Sequence, residues 1–196
     1  MRLASRVGAA LIGVLSLIVI TAWYVGVETL PAKISGLWLV KPMTGAACLL
    51  LSVAVLVLQR RRVTLVLGFT VAVIGALTFA EYVFGLSLGV DELLPGIDFA
   101  GQPARMSPAT AVSLILLGAS VVVSRLARPA WMLGLALGTL TISLIAVLGY
   151  AYGVSSLYTV GGFTSMALPT ALELAVLSVS ILLQRPSSGL IALLRV

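Results

Sequence analysis

The chain has 196 residues, of which 61% are hydrophobic and only 9% charged, with a formal charge of +6. Its mean hydropathy of +1.21 excludes an ordinary soluble domain, which needs more polar residues to cover its core. Only helices or a closed barrel satisfy their backbone in lipid, and the apolar runs show no period-2 alternation, so a barrel is excluded too.

A bilayer-spanning helix needs ~20 apolar residues, and six stretches qualify. The first, Val7–Val27, follows Arg2 and Arg6 and ends on Trp23, Tyr24 and Gly26. It is longer than the apolar core of a secretory signal, and no small-residue cleavage site follows, so it reads as an uncleaved anchor. The second, Leu37–Leu58, holds Lys41 and Thr44 in its first part and is followed by Arg60, Arg61 and Arg62. The single cysteine, Cys48, lies inside it and reads as a packing residue. The third, Val63–Phe84, ends on Glu81, Tyr82 and Phe84 before Gly85, and the loop beyond carries Asp91, Glu92 and Asp98.

The fourth, Pro108–Leu126, is entered through Arg105 and Ser107. The serine hydroxyl can cap the helix, and proline at the first helical position loses no hydrogen bond. This stretch contains Ser113 and closes on Arg125 and Arg128. The fifth, Trp131–Tyr152, ends on Tyr150 and Tyr152 before Gly153. The sixth, Met166–Leu183, has Pro169 at its start, with Thr164 or Ser165 as caps, then Glu173, and Arg185 and Arg195 beyond it. The aromatics Trp23, Tyr24, Tyr82, Phe84, Tyr150 and Tyr152 all fall where amphipathic rings favour a membrane interface.

Nine of the twelve basic residues (Arg2, Arg6, Arg60, Arg61, Arg62, Arg125, Arg128, Arg185, Arg195) fall on one side of these stretches. Lys33, Lys41 and Arg105 fall on the other, with Glu28, Asp91, Glu92 and Asp98. The positive-inside rule then puts both termini in the cytoplasm. The net charge follows from this asymmetry and from attraction to anionic lipid. No basic patch has interleaved aromatics, so nucleic acid is not an expected partner.

The chain also repeats itself. With Met106 set over Met166, seven of twenty positions agree without a gap, ending with Arg125 over Arg185. A weaker copy sets Met43 over Met106, and "YVFGLS" echoes "YAYGVS" and, distantly, "WYVGV". Recurrence at a fixed period means one supersecondary unit reused, here a helical hairpin always running the same way. Such parallel repeats, with no discontinuous helices, count against a transporter of the inverted-repeat kind. The expected architecture is an all-α integral membrane protein forming one domain over 1–196. It has six transmembrane helices in three parallel-repeat hairpins (about 7–62, 63–128 and 131–186), a short amphipathic tail over 187–196, and both termini cytoplasmic.

Charges inside spans are costly and mark function by default. Lys41, Glu81, Arg105 and Glu173 all fall toward the outer leaflet, and Glu173 takes the repeat position of Ser113. Together these five residues define a candidate polar cleft, with Thr44, Ser107, Thr110 and Thr170 on the adjacent helix starts. Helix N-termini there favour an anionic or carbonyl-bearing ligand. The competing reading is structural: Glu81 and Lys41 snorkel or pair with each other, the hydroxyls pack helices, and Glu173 faces a neighbour. Enzymatic readings find no support. There is no histidine, so bis-His haem is excluded, and no phosphate loop, CxxC motif or metal-ligand cluster is present. A quinone, carotenoid or lipid held between helices needs no motif and stays open.

The strings "EYVFGLSLGVDELL", "RMSPATAVSLILLG" and "LGYAYGVSSLYTVGGFTSMALPTALELAVLSVSILLQRPSSGLIALL" resemble the N-terminal multi-pass membrane sensory domain of bacterial PAS/GAF histidine kinases and diguanylate cyclases. The likeness covers residues 63–194 and, weakly, the first hairpin. It implies a sensory role in the bacterial cytoplasmic membrane, with the signal leaving through the C-terminal helix to an output domain. Members of that family often have Asn where this chain has Ala109 and His where it has Pro169, so ligand contacts made by that histidine are not expected here. They also usually continue into an output domain, whereas this chain stops at Val196, as a fragment, as a natural input half or as a module put to another use. Two functions follow: a non-enzymatic signal-input module, or a small accessory subunit of a larger photosynthetic or respiratory membrane complex. The expected partners are the bilayer, an output domain or such a complex, and a second copy in a homodimer.

Overall fold

The computed structural model describes residues 1–25, 40–94, 105–126, 129–159 and 164–184, apart from the side chains of Arg2 and Glu92. Lys33, Glu28, Gly26, Asp98, Arg128, Arg185, Arg195 and the 187–196 tail lie outside the described residues. Within them the chain is all-helical: α1 (Arg2–Val25), α2 (Pro42–Leu56), α3 (Arg61–Phe84), α4 (Pro108–Ser124), α5 (Pro129–Tyr152) and α6 (Leu168–Leu182), with short 3-10 turns at Val90–Glu92 and Ser155–Leu157.

The helices are of two kinds. Three are long and apolar enough to cross a membrane: Leu3–Val25, Arg61–Phe84 and Pro129–Tyr152. The other three have 15, 17 and 15 residues, or ~22–26 Å at 1.5 Å per residue, short of a ~30 Å hydrocarbon core. The apolar stretches that end in α2 and α6 are longer than the helices themselves. Pro42 and Pro169 sit at the first or second helical position, and the N-caps Lys41 and Ala167 are extended, with ψ near 145°. A proline has no N–H to donate and is tolerated in the first helical turn, where that N–H has no helical partner, so each helix starts at or just before its proline. Lys41 is therefore a cap residue, not part of a span. Neither Thr164 nor Ser165 caps α6, because Ala167 occupies that place. Ser107 does cap α4, accepting the Thr110 N–H at 3.1 Å.

Each helix packs on its neighbours in sequence, and α1 returns to α6, closing a ring. The short helices α2, α4 and α6 also touch one another across the middle. Ten of fifteen residues are buried in α2, ten of seventeen in α4 and eight of fifteen in α6, against seven of twenty-four in α3 and six of twenty-four in α5. The architecture is thus an inner triangle of short helices inside three long ones. The long helices turn residues such as Leu11, Ile18, Val66, Phe69, Leu144 and Leu148 outward. Helices surrounded by protein need not span the hydrocarbon, because extended backbone at their ends is tolerated where protein covers it.

The tightest seam joins α3 to α4. A Cβ on Gly118 would lie 2.6 Å from both the Gly68 carbonyl oxygen and the Ala72 nitrogen, and one on Gly75 would lie 2.6 Å from the Ala111 carbonyl oxygen. Backbones this close gain dispersion contacts that lipid chains cannot match, which is how small residues hold membrane helices together.

Candidate functional site

The three long helices end with an equivalent contact. The Trp23 indole N–H donates to the Val40 carbonyl at 3.0 Å, the Tyr82 hydroxyl to the Met106 carbonyl at 2.7 Å, and the Tyr150 hydroxyl to the Met166 carbonyl at 2.8 Å. Each acceptor belongs to the residue preceding the N-cap of the next short helix, and Val40, Met106 and Met166 are all buried. A carbonyl shut away from water must find a donor, and the preceding helix supplies it. The Tyr82 oxygen also lies 3.0 Å from the Thr164 hydroxyl, and Tyr158 stacks on Tyr150 with centroids 4.0 Å apart. The six aromatics therefore divide. Trp23, Tyr82 and Tyr150 point inward as locks, while Tyr24, Phe84 and Tyr152 are exposed.

Between these locks lies the ionic cluster. Glu81 is buried in the last turn of α3, where the negative end of the helix dipole opposes a carboxylate. Its Oε1 accepts the Leu88 N–H at 2.6 Å, and its Oε2 lies 3.4 Å from Arg105 Nε. The same Nε is 3.2 Å from Asp91 Oδ2, Arg105 Nη2 donates to the Leu86 carbonyl at 3.4 Å, and the guanidinium sits 5.4 Å from the Tyr82 ring centre. One arginine thus gathers the turn after α3 onto the start of α4. Burial pushes the Asp91 carboxyl above its ordinary range, with the Glu81 charge adding to the rise and Arg105 opposing it. Asp91 was legible only as a loop acid, since nothing in its local sequence marks it as the partner of Arg105 fourteen residues on.

Lys41 and Arg105 share a crevice of about 20 Å³, room for about one water. Ser107, Thr44, Thr110 and Thr170 line it, so it lies where α2, α4 and α6 begin. The caps Lys41, Ser107 and Ala167 bring these three threonines to the same helical position. Thr44 therefore stands over Thr110, in place of the Met43-over-Met106 register read from sequence. In the same register Ala47, Ser113 and Glu173 coincide.

Ser113 and Glu173 do not line the crevice. Both lie on the turn after the threonines, and both are buried. Ser113 Oγ makes no hydrogen bond, although its carbonyl accepts the Thr139 hydroxyl at 3.3 Å. Glu173 is 1% exposed, and neither of its oxygens makes a hydrogen bond. It lies against the Cys48 thiol, a weak donor at best. Of the five predicted residues, then, Glu81 and Arg105 pair directly, Lys41 shares the crevice, and Ser113 and Glu173 lie deeper. Among the described residues the ion pairs run through Arg105, so Glu81 is not the partner of Lys41. No family model, no curated protein and no solved structure matches the chain.

Proposed function

We propose that this chain is a non-enzymatic signal-input module of a bacterial cytoplasmic membrane. Six helices cross the bilayer as three parallel hairpins with both termini cytoplasmic, and the crevice at the outer ends senses a ligand or a membrane state. The supporting observation is Arg105, which both forms a wall of the crevice and holds two buried carboxylates. An anionic or carbonyl-bearing ligand entering beside Lys41 competes for that guanidinium, loosening Glu81 and Asp91. The crevice as it stands holds no more than a water, so occupancy requires the starts of α2, α4 and α6 to part. Two states with different affinity for the stimulus are what a switch needs. Movement at Thr170 passes along α6 through Glu173 toward the C-terminal side.

A second reading, an accessory subunit of a larger photosynthetic or respiratory complex, draws on the groove of about 360 Å³ on the outer face of α1, lined by Val14, Leu17, Ile18 and Val25. One experiment separates the two: purification from the native membrane in mild detergent, with mass spectrometry of every co-migrating species. Recovery with a kinase or cyclase output protein, or as a homodimer carrying a small molecule that Glu81→Gln releases, supports the input module. Stoichiometric recovery inside a respiratory or photosynthetic complex overturns it. Topology is checked separately by placing cysteines at Leu86 and Gln59 in a Cys48→Ala background. A membrane-impermeant maleimide should label the first from outside the cell and not the second.

A further inference from the structure

The opposite end of the bundle holds a larger cavity, of about 290 Å³, between the start of α1 and the ends of α2, α4 and α6. That is near the lower limit of small-ligand pockets. Among the described residues its polar lining is Ser5, Arg6, Gln59, Ser124, Arg125 and Gln184, with no Asp or Glu. From these features we infer that this cavity binds an anionic phosphate ester, either the headgroup of a membrane lipid or a soluble phosphate.

Three observations converge on it. First, donors there have nothing to donate to: Arg125 Nε and Gln184 Nε2 are buried and make no hydrogen bond, a costly state for a guanidinium in particular. The nearby hydroxyls turn their protons elsewhere, Ser5 donating to the Ser180 carbonyl and Ser124 to the Val121 carbonyl, each at 2.6 Å. Second, helix dipoles account for only half of the charge. Arg125 is the C-cap of α4, where a cation is favoured, but Arg6 lies near the start of α1, where the dipole is positive and a cation is not. Two arginines lining one cavity with no acid among its described residues call for an anion, and planar guanidinium forks match phosphate oxygens. Third, the wall formed by Val55 and Leu58 is apolar, the surface an acyl chain below a headgroup would meet. The crevice at the other end plays no part, so this inference stands or falls independently of the sensory reading.

The test uses the full chain in mild detergent. Thermal unfolding is followed by a fluorogenic maleimide reacting with Cys48, which is the only cysteine and is fully buried. Dioleoyl phosphatidylglycerol, dioleoyl phosphatidylcholine and inorganic phosphate are each titrated at constant ionic strength. A ligand that binds only the folded state raises the midpoint in a saturable way. A rise with phosphatidylglycerol alone assigns a lipid headgroup; a rise with inorganic phosphate assigns a soluble phosphate. In either case Arg125→Gln should raise the half-saturating concentration at least about tenfold, as expected for losing a charged hydrogen bond. Arg6→Gln, at an exposed position, carries the same test if the Arg125 variant does not fold. The paired Arg61→Gln and Arg62→Gln variant, exposed and outside the cavity, should leave the response intact. The inference is overturned if neither anion raises the midpoint, if the rise survives both Arg6→Gln and Arg125→Gln, or if the Arg61/Arg62 variant abolishes it equally.

Discussion

Replacing Glu173 by Leu should make the protein more stable. The carboxyl is 1% exposed, neither oxygen makes a hydrogen bond, and its described neighbour is a thiol. Burying one such unpaired polar group costs about 1–3 kcal/mol by protein mutational data, and more if it carries charge. Leucine has a similar reach and no such cost, and the Leu174 and Leu177 side chains already pack nearby on α6. The expected gain is about 1–3 kcal/mol, less whatever overpacking takes back, and at this chain length each kcal/mol moves the midpoint by about 2–4 °C. Cys48 supplies the assay, because a buried lone thiol reacts with a fluorogenic maleimide only on unfolding. Glu173→Gln, which keeps shape and polarity, should shift the midpoint far less than Leu does. A lower midpoint for Glu173→Leu, by a few degrees or more, would refute the reasoning, since the carboxyl would then hold a partner that stabilises the fold. If the gain is found, the glutamate is retained at the expense of stability, which is the mark of a functional residue rather than a packing one.

Three more outcomes follow from the geometry. Tyr82→Phe and Tyr150→Phe each strand a buried carbonyl and should lower stability by about 1–2 kcal/mol, read in the same thiol assay; no change would mean water replaces the phenol. Gly118→Ala drives a methyl into the backbone of α3 and should cost about 1–3 kcal/mol, whereas Gly134→Ala, with open space around it, should cost nothing. The raised Asp91 carboxyl binds its proton more tightly in the folded state, so its contribution is fully present below about pH 4 and is lost as pH rises through the folded value. Melting midpoints should therefore fall from acid toward neutral pH, and Asp91→Asn should flatten that slope.

The long helices were easy to read, because lipid-facing positions and core positions are alike apolar and the run length survives in the sequence. The short ones were overestimated for a related reason: Val40 ahead of α2 and Met166 and Ala167 ahead of α6 look like helix by composition but are buried as non-helical backbone. Hydropathy measures burial, not conformation, and proline was the only local sign. Arg105 and Glu81 were visible as costly charges, yet their pairing is a tertiary fact set by the turn at Gly85 and Gly89, both in the left-handed region. Glu173 stood out in the repeat register, but its isolation from the crevice depends on which turn of α6 faces α2. The arginine-lined cavity was hidden because each of its cations already had an explanation in membrane orientation.

The aromatic locks separate what lies outside the bundle from what lies within it. The stretch from donor to acceptor spans 17, 24 and 16 positions in the three hairpins, yet each short helix is joined to the preceding long one by the same kind of bond at its entry. Connections of unequal length thus deliver the chain to equivalent starting points. The length of a connection can therefore vary without shifting a helix along its axis, provided that contacts such as Asp91 with Arg105 and Tyr158 with Tyr150 are kept.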